Sequence, residues 1–355
     1  MLRSWLQLAR LLAALATLAP SSPQTLREAA HSSGLLIGTA VRPGLLSESV
    51  YAATLAREFN MVEAEDAMKW WVVRASEGFD FQKGDEIVRY AQAHGMKIRG
   101  HCLVWDHNNP KWLNEGHFTA TQMSHLLQEH IATVMKHYSG LVFAWDVVNE
   151  AMDENGNVKD SPWYNQPGIG LSDKGTAYVE QAFRWAHEAD PNALLFYNDN
   201  GGEGLSRKSD AIYAMLKDFK KREVPIDGVG LQMHLSRLDY DTDAVAKNIE
   251  RLTKLGLQVH ITELDVSLPV DSQGEAQKED LLRQADVYGS VVRACVKSPG
   301  CTAIQTWGFT DKYSWIGSHS HGTRGDALPF DRGYQPKPAY RAMLNELSAK
   351  RPTTH

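Results

Sequence analysis

Short apolar runs alternate with longer segments of helical periodicity eight times along the chain. The apolar runs predict strands at Leu35–Thr39, Phe59–Glu63, Lys97–Cys102, Val142–Val148, Ala193–Tyr197, Gly228–Gln232, Gln258–Leu264 and Thr302–Trp307. The segments between them carry apolar residues at helical spacing, which predicts amphipathic helices. Examples are Ser47–Glu58, with Ser47 as a candidate N-cap, Thr121–Tyr138, Ala177–Ala189 and Ser206–Lys221.

This alternation predicts parallel strands that are joined by right-handed helical crossovers. Eight such units close into a (β/α)8 barrel, an α/β fold in which loops from every unit meet at the C-terminal ends of the strands. The 355 residues fit one domain of this kind, since α/β barrels commonly exceed ~250 residues. Because no low-complexity linker interrupts the pattern, we expect a single barrel domain over 25–350.

Composition narrows the class of partner. Hydrophobic residues make up 43% of the chain and charged residues 23%, which are ordinary values for a globular protein. The formal charge of −6 argues against nucleic acid or an anionic membrane as the partner. The local basic cluster Lys217, Lys220, Lys221 and Arg222 lies at the end of a predicted helix, where cations complement the helix dipole, so we interpret it as structural.

The N-terminus has the pattern of a secretory leader. Arg3 and Arg10 precede the apolar stretch Leu11–Leu18, which is too short to span a bilayer. We therefore predict a signal peptide over 1–24, cleaved between Ala19 and Thr25, and an exported protein that has no membrane association after cleavage. The alternative is that the leader remains as an anchor.

Two of the predicted strands end in a glutamate: WDVVNE at 145–150 and ITELD at 261–265. Hydrolysis of a glycosidic bond uses two carboxyl groups, one to protonate the leaving oxygen and one to attack the anomeric carbon. Glu150 and Glu263 are the candidates for this pair. The alternative is that they belong, like most of the 43 Asp and Glu residues, to a solvated surface.

Five further motifs place polar or aromatic residues directly after apolar runs. They are EAEDAMKW (63–70), RGHCLVW (99–105), FYNDN (196–200), GVGLQMH (228–234) and WGFTDKYSW (307–315). With these motifs in this order and spacing, the chain resembles glycoside hydrolase family 10, the retaining endo-β-1,4-xylanases, from near Thr25 to Leu347. The resemblance implies hydrolysis of xylan and xylo-oligosaccharides without a cofactor, by a protein that we expect to be monomeric.

The resemblance also implies roles for the residues at the reacting centre. Glu150 matches the acid/base and Glu263 the nucleophile of the double displacement, so retention of configuration is expected. Asn149 would hydrogen-bond the 2-hydroxyl of the sugar that is attacked. His234 would bond to the nucleophile, and Asp265 would hold His234 in place.

Other matched residues would line the sugar-binding cleft. Four polar residues are expected on the non-reducing side of the cut: Glu65, Lys69, His101 and Gln232. Three aromatic residues would form the floor and lid against which sugar rings stack: Trp105, Trp307 and Trp315. Two residues are expected to face the leaving-group side: Tyr197 and Asn198.

The chain departs from the family pattern at Asp66, where Asn is usual, and at Asp106, where His is common. An ionised Asp only accepts hydrogen bonds, whereas Asn also donates them. Two consequences are open for Asp66. Either it pairs with Lys69 and weakens the contact of Lys69 with substrate, or its free charge raises the pKa of Glu150.

Two of the three cysteines are candidates for a disulfide, and the third is not. Cys295 and Cys301 flank the turn-forming segment Val-Lys-Ser-Pro-Gly, which could bring their sulfurs together, and similar xylanases often carry a disulfide at this place. Cys102 stands where the family usually has Thr, and we expect it to be a small buried residue with a free thiol.

No metal is expected. His319 and His321 in SHSHG could suggest one, but their loop has no carboxylate or Cys at ligand spacing, so we interpret them as polar surface.

Two rival functions remain at this point. One is a barrel glycosidase of the same mechanism that acts on β-1,4-glucan or aryl glycosides. The other is a catalytically silent sugar-binding protein that keeps the cleft. The presence of both glutamates together with Asn149 and His234 counts against the silent version.

Overall fold

A computed structural model describes residues 25–76 and 78–349. The predicted signal peptide over 1–24 therefore lies outside the described residues. Among the helices that are described, none has the length and apolar character that crossing a bilayer requires.

The core of the protein is a closed barrel of eight parallel strands. We number these strands β1 to β8: Leu36–Val41, Met61–Ala64, Lys97–Val104, Ala144–Asn149, Leu194–Asp199, Gly228–Leu231, Gln258–Val266 and Cys301–Thr306. Each strand pairs with the next along the chain, and β8 also pairs with β1, so that the described sheet has no open edge between them. The predicted (β/α)8 barrel is confirmed.

Helices connect the strands around the outside of the barrel. One helix follows each strand, in chain order Ser49–Glu58, Gln82–Ala93, Ala120–His137, Ala177–Ala189, Arg207–Lys221, Thr242–Thr253, Lys278–Lys297 and Pro338–Leu347. Short helices lie at Leu26–Ser32, Trp70–Val73, Lys111–Asn114 and Ile316–His319, and 3₁₀ turns at Pro43–Ser47 and Asp311–Tyr313.

Side-chain caps fix the starts of several of these helices. Thr119 accepts from the backbone N–H of Gln122, whose side chain accepts from the N–H of Thr119 in return, so the helix begins at Ala120. The prediction that Ser47 caps the first large helix is wrong. Ser47 ends a 3₁₀ turn and donates to the carbonyl of Gly44, while Glu48 occupies the N-cap position.

The strands are almost completely buried, because the barrel interior covers one face and the helices cover the other. Trp145 of β4 is fully buried and lies against Gly100 of β3. A Cβ atom at Gly100 would lie 2.3 Å from the indole, so only glycine permits this approach. Close packing of this kind fixes the register of neighbouring strands and hence the positions of the residues at their ends.

The last helix–strand connection contains the expected disulfide. Cys295, near the end of the helix Lys278–Lys297, is bonded to Cys301, the first residue of β8. The sulfur of Cys102 is free and buried within β3. The predictions for the three cysteines are confirmed.

Candidate active site

Glu150 and Glu263 lie at the C-terminal end of the barrel and line one cavity of about 350 Å³. Glu150 follows β4 directly, where its φ of 56° turns the chain out of the strand. Its backbone N–H donates to the carbonyl of Asn198 at 2.9 Å. Glu263 lies near the end of β7.

The cavity contains most of the predicted site residues. It is lined by Glu65, Asp66, Lys69, His101, Trp105, Asn149, Glu150, Asn200, Gln232, His234, Glu263, Trp307, Trp315 and His319. Of the predicted set, Asp265, Tyr197 and Asn198 lie outside this lining. A second cavity of about 390 Å³ shares His234 with the first and is bordered by Leu205 and Tyr240, so the two cavities adjoin at His234.

Both oxygens of Glu263 are held by side chains from neighbouring strands. Asn198 donates to Oε1 at 2.7 Å, and Nε2 of His234 lies 3.0 Å from Oε2. Nδ1 of His234 lies 2.9 Å from Asp265, which also accepts from the indole N–H of Trp315 at 2.8 Å. Asp265 is therefore behind the cavity wall, where it orients the residue that orients Glu263.

His234 carries a charge in this arrangement. Burial alone would lower the pKa of His234, but the carboxylate of Asp265 and then that of Glu263 outweigh burial, so its pKa lies well above the ordinary value. The imidazolium donates from both nitrogens, one to each carboxylate. Glu263 is thereby fixed in one orientation towards the cavity.

Glu150 is bound differently at its two oxygens. Oε1 accepts from Gln232 at 3.0 Å and from the Asn149 amide at 3.4 Å, whereas Oε2 lies 3.6 Å from Nζ of Lys159. Burial raises the pKa of Glu150, but the hydrogen bond from Gln232 and the charge of Lys159 outweigh it, so the net direction is down. The hydrogen bond and the nearby cation thus favour the base form of this carboxyl group.

The amide of Asn149 has a fixed orientation. Its oxygen accepts from Asn198 at 2.9 Å and from Gln232 at 3.1 Å. The NH2 group must therefore point towards Glu150 and the cavity, where it can donate to a bound hydroxyl.

The expectation that Tyr197 and Asn198 face the leaving-group side is wrong. Both side chains are fully buried. The hydroxyl of Tyr197 donates to Asp199 and accepts from the N–H of Ala151, while Asn198 reaches inward to Glu263. β5 runs two residues further than predicted, to Asp199, so Asn198 lies inside the strand instead of after it. Tyr197, which was predicted to end the strand, has its side chain packed in the interior.

The wall formed by the motif after β2 is a chain of ion pairs. Glu65 accepts two hydrogen bonds from Arg42, at 2.9 and 2.7 Å, and Asp66 lies 3.0 Å from Nζ of Lys69. This ammonium group also lies 5.0 Å from the ring centroid of Trp105 and 5.5 Å from that of Trp307. The cation is thus placed between an anion and two aromatic faces.

His319 and Asn200 were not predicted to belong to the site. His319 is exposed, as expected for polar surface, but its ring lies 4.6 Å from that of Trp315 at the rim of the cavity. Its position depends on the loop after β8 folding back over the barrel, which no local pattern indicates.

A buried charged network below the cavity was also missed. Arg99 pairs with Asp146 and lies 3.4 Å from Glu63, and Nδ1 of His101 lies 2.9 Å from Asp146. Burial raises the pKa of Glu63 to about 8. Glu63 ends a predicted strand and is the first residue of the motif EAEDAMKW, which was the available signal.

Three side chains come near enough to one another to be considered for a metal ion. Glu63, His101 and Glu263 place one potential ligand atom each within 4.8 Å of the others. The guanidinium of Arg99 beside Glu63 would repel a divalent cation, and Glu263 is already engaged by two donors. We assign no metal to this group of residues.

Comparisons with known proteins agree with this geometry. The profile of glycosyl hydrolase family 10 matches residues 25–346. Endo-1,4-beta-xylanase B of Thermotoga neapolitana is 38% identical over 301 residues, which is 84% of either chain. Endo-1,4-beta-xylanase 1 of Humicola insolens is 37% identical over 344 residues, 95% of this chain and 77% of the relative.

Comparison with solved structures also finds xylanases. Xylanase 10B of Thermotoga petrophila, crystallised in complex with xylobiose, superposes with a TM-score of 0.87 at 37% identity, and the match covers 92% of this chain and 98% of the other. The carboxylate pair, the barrel that positions it and these similarities lead to one conclusion: the chain belongs to glycoside hydrolase family 10.

Proposed function

We propose that this protein is a retaining endo-β-1,4-xylanase. The observation that carries the proposal is the pair Glu150 and Glu263 in one cavity, with both oxygens of Glu263 fixed by Asn198 and His234. A carboxylate held in one orientation is suited to attack a carbon. The xylanase relatives supply the class of substrate.

In the first step, Glu263 attacks the anomeric carbon as the glycosidic bond breaks, and Glu150 gives its proton to the departing oxygen. Because Gln232 and Lys159 favour ionised Glu150, the bound sugar must promote protonation by excluding water from around the carboxyl group. The products are a covalent glycosyl–Glu263 ester and a shortened chain with a free 4-hydroxyl.

In the second step, Glu150 removes a proton from water, and the resulting oxygen attacks the anomeric carbon and releases Glu263. Two inversions give net retention. The Asn149 NH2 group, which its neighbours orient towards the cavity, would bind the 2-hydroxyl as positive charge develops on the ring.

The aromatic side chains would hold the pyranose rings on either side of the cut. Trp307 and Trp315 line the cavity near His234, and Trp105 lines it as well. Their faces stack on the apolar faces of sugars, and Lys69 and His101 supply polar contacts on the glycone side. The second cavity beyond His234 offers room for further sugars, as an enzyme that cuts inside a chain requires.

The second candidate is a β-1,4-glucanase or aryl-glycosidase of mixed specificity. Asp66 favours it, because the acid neutralises Lys69 at the wall where xylose and glucose must be distinguished. The catalytically silent alternative has no such support, since the catalytic pair and its hydrogen-bond partners are complete.

An assay of the reducing ends released from xylan and from carboxymethylcellulose distinguishes these functions. We expect release from xylan, with products of several lengths, and little from carboxymethylcellulose. Glu263→Ala is the matched control, since the cleft remains but the nucleophile is absent. Proton NMR of the first product should show the β anomer; an α anomer would exclude double displacement, and equal release from both polymers would favour the glucanase.

We also propose that the protein is exported as a monomeric single domain. The leader pattern over 1–24 and the Cys295–Cys301 disulfide support export, because disulfides persist in oxidising compartments. Intact-mass analysis of protein from the culture medium should give an N-terminus between Ala19 and Thr25, and light scattering should give the mass of one chain. Protein retained in the membrane fraction would support an uncleaved anchor instead.

A further inference from the structure

Lys159 lies between two carboxylates at the edge of the catalytic cavity, although it belongs to none of the sequence motifs. Its Nζ atom is 3.5 Å from Oδ2 of Asp106 and 3.6 Å from Oε2 of Glu150. The exposed fractions of the three side chains are 24%, 14% and 12%. Because solvent reaches them poorly, their charges act on one another more strongly than on an open surface.

A tight turn brings Lys159 to this place. The carboxylate of Asp153 accepts from the backbone N–H groups of Asn155 and Asn157, at 2.9 and 2.8 Å, and so reverses the chain. The N–H of Lys159 then donates to the carbonyl of Ala151 at 2.9 Å. The backbone position of Lys159 is therefore fixed independently of its side-chain charge.

The charge of Lys159 is divided between its two neighbours. Glu150 directs Oε1 to Gln232 and Oε2 to Lys159. Asp106 directs Oδ2 to Lys159, and its Oδ1 is buried without a hydrogen-bond partner among the described residues. Nε2 of the exposed His107 also lies 3.8 Å from Oδ2 of Asp106. Asp106 and Glu150 share the ammonium group of Lys159.

We propose that Lys159 is a positioning residue that sets the proton affinity of Glu150, and that Asp106 limits how much of this charge Glu150 experiences. The proposal rests on the acid/base role of Glu150 in the proposed function. A nearby cation favours the ionised form needed to activate water, at the expense of the protonated form needed to expel the leaving group. The balance between the two half-reactions would then depend on the Asp106–Lys159 pair.

Other groups also face Glu150 and must stay constant in a test. They are His101 on β3, Asp199 on β5 and Glu263 on β7. Gln232, after β6, donates to Glu150 but does not titrate. Substitutions at Lys159 and Asp106 leave all of these groups in place.

The two substitutions should act in opposite directions. Lys159→Met removes the cation, so Glu150 keeps its proton to higher pH. The alkaline limb of the profile of kcat/KM against pH should therefore move to higher pH by roughly one unit. Asp106→Asn removes the competing anion, so the alkaline limb should move to lower pH. Loss of packing alone would not displace the limb in two directions.

The readout is the pH dependence of kcat/KM for two aryl xylobiosides. With a poor leaving group the limb should shift as described, whereas with an acidic phenol, which needs no protonation, both variants should follow the parent. KM should remain near that of the parent, because Lys159 does not line the cavity. Lys111→Met and Glu115→Gln, at an exposed pair 3.8 Å apart, are the matched charge controls.

A titration without turnover separates this proposal from the proposed function. Carbon-13 NMR of the Glu150 carboxyl group in parent, Lys159→Met and Asp106→Asn should give the same two opposite displacements. The proposal would be overturned, even if xylan is hydrolysed, if the Glu150 titration does not move in either variant or moves in the same direction in both. A parent that releases no sugar would defeat the proposed function while the NMR result still decides the charge coupling.

Discussion

The ammonium group of Lys69 lies 3.0 Å from the carboxylate of Asp66, three residues earlier in the chain. Of the two alternatives that the sequence leaves open at Asp66, the geometry matches the ion pair. Lys69 is almost fully buried while Asp66 is partly exposed, so the pair occupies the cavity wall with its anion towards solvent. A hydroxyl that binds Lys69 must compete with Asp66.

This pair predicts the effect of restoring an amide. In Asp66→Asn the ammonium is released for substrate, and the new amide can also donate. The value of kcat/KM on a xylobiose-derived aryl glycoside should therefore rise several-fold, which corresponds to about 1 kcal/mol. The cellobiose-derived counterpart should change by a different factor because of its hydroxymethyl groups. Unchanged kinetics on both substrates would mean that the departure is neutral.

Glu150→Gln should separate substrates by their leaving groups. Hydrolysis of xylan should fall by roughly 10²–10⁴-fold, the usual contribution of a general acid, while substrates with an acidic phenol should keep much of their first step. Added azide should then give a glycosyl azide of β configuration, because Glu263 still forms the intermediate. An α azide, or equal losses on both substrate types, would remove Glu150 from the acid/base role.

Glu263→Ala should abolish double displacement on every substrate, with a loss on the order of 10⁵-fold or more. The covalent intermediate cannot form without this carboxylate. A mechanism-based fluoro-sugar should label Glu263 in the parent, which peptide mapping can locate. A label on another residue would defeat the assignment.

Glu63 should make the protein less stable as the pH rises. Burial raises the pKa of Glu63 from the ordinary value of 4.5 to about 8, so the native state retains a proton that the unfolded chain loses in this window. The free energy of unfolding must then fall with increasing pH through the same window. Glu63→Gln is neutral throughout and should lose less stability; urea unfolding curves that fall in parallel for both proteins would contradict this.

The disulfide closes a short loop and should stabilise the protein modestly. Replacing Cys295 and Cys301 by Ala should lower the free energy of unfolding by about 2 kcal/mol, the loop-closure value for so short a segment. Thiol counting on the denatured, unreduced parent should give one free group, that of Cys102. A count of three would show that the bond does not form in solution.

Local pattern was sufficient to predict the barrel and to select Glu150 and Glu263, which the structure brings together in one cavity. Each strand and helix has its own periodicity. Glu150 and Glu263 come at the ends of β-branched runs, which indicates that their carboxylates lie at the C-terminal end of the barrel. Local pattern does not determine where a strand ends, because the end depends on pairing with the neighbouring strand. Asp199 pairs with Leu231 of the adjacent strand β6, and that pairing keeps Asn198 inside β5.

The sequence by itself determined the fold and the chemical groups that the barrel presents, because both follow from residue type and spacing along single elements. Only the tertiary structure decided how charges are shared between distant segments: Lys159 with Asp106 and Glu150, and Glu63 with Arg99. The physical reason is that electrostatic interactions depend on distance through space and on exclusion of water, and partners from separate loops and strands meet only when the barrel closes.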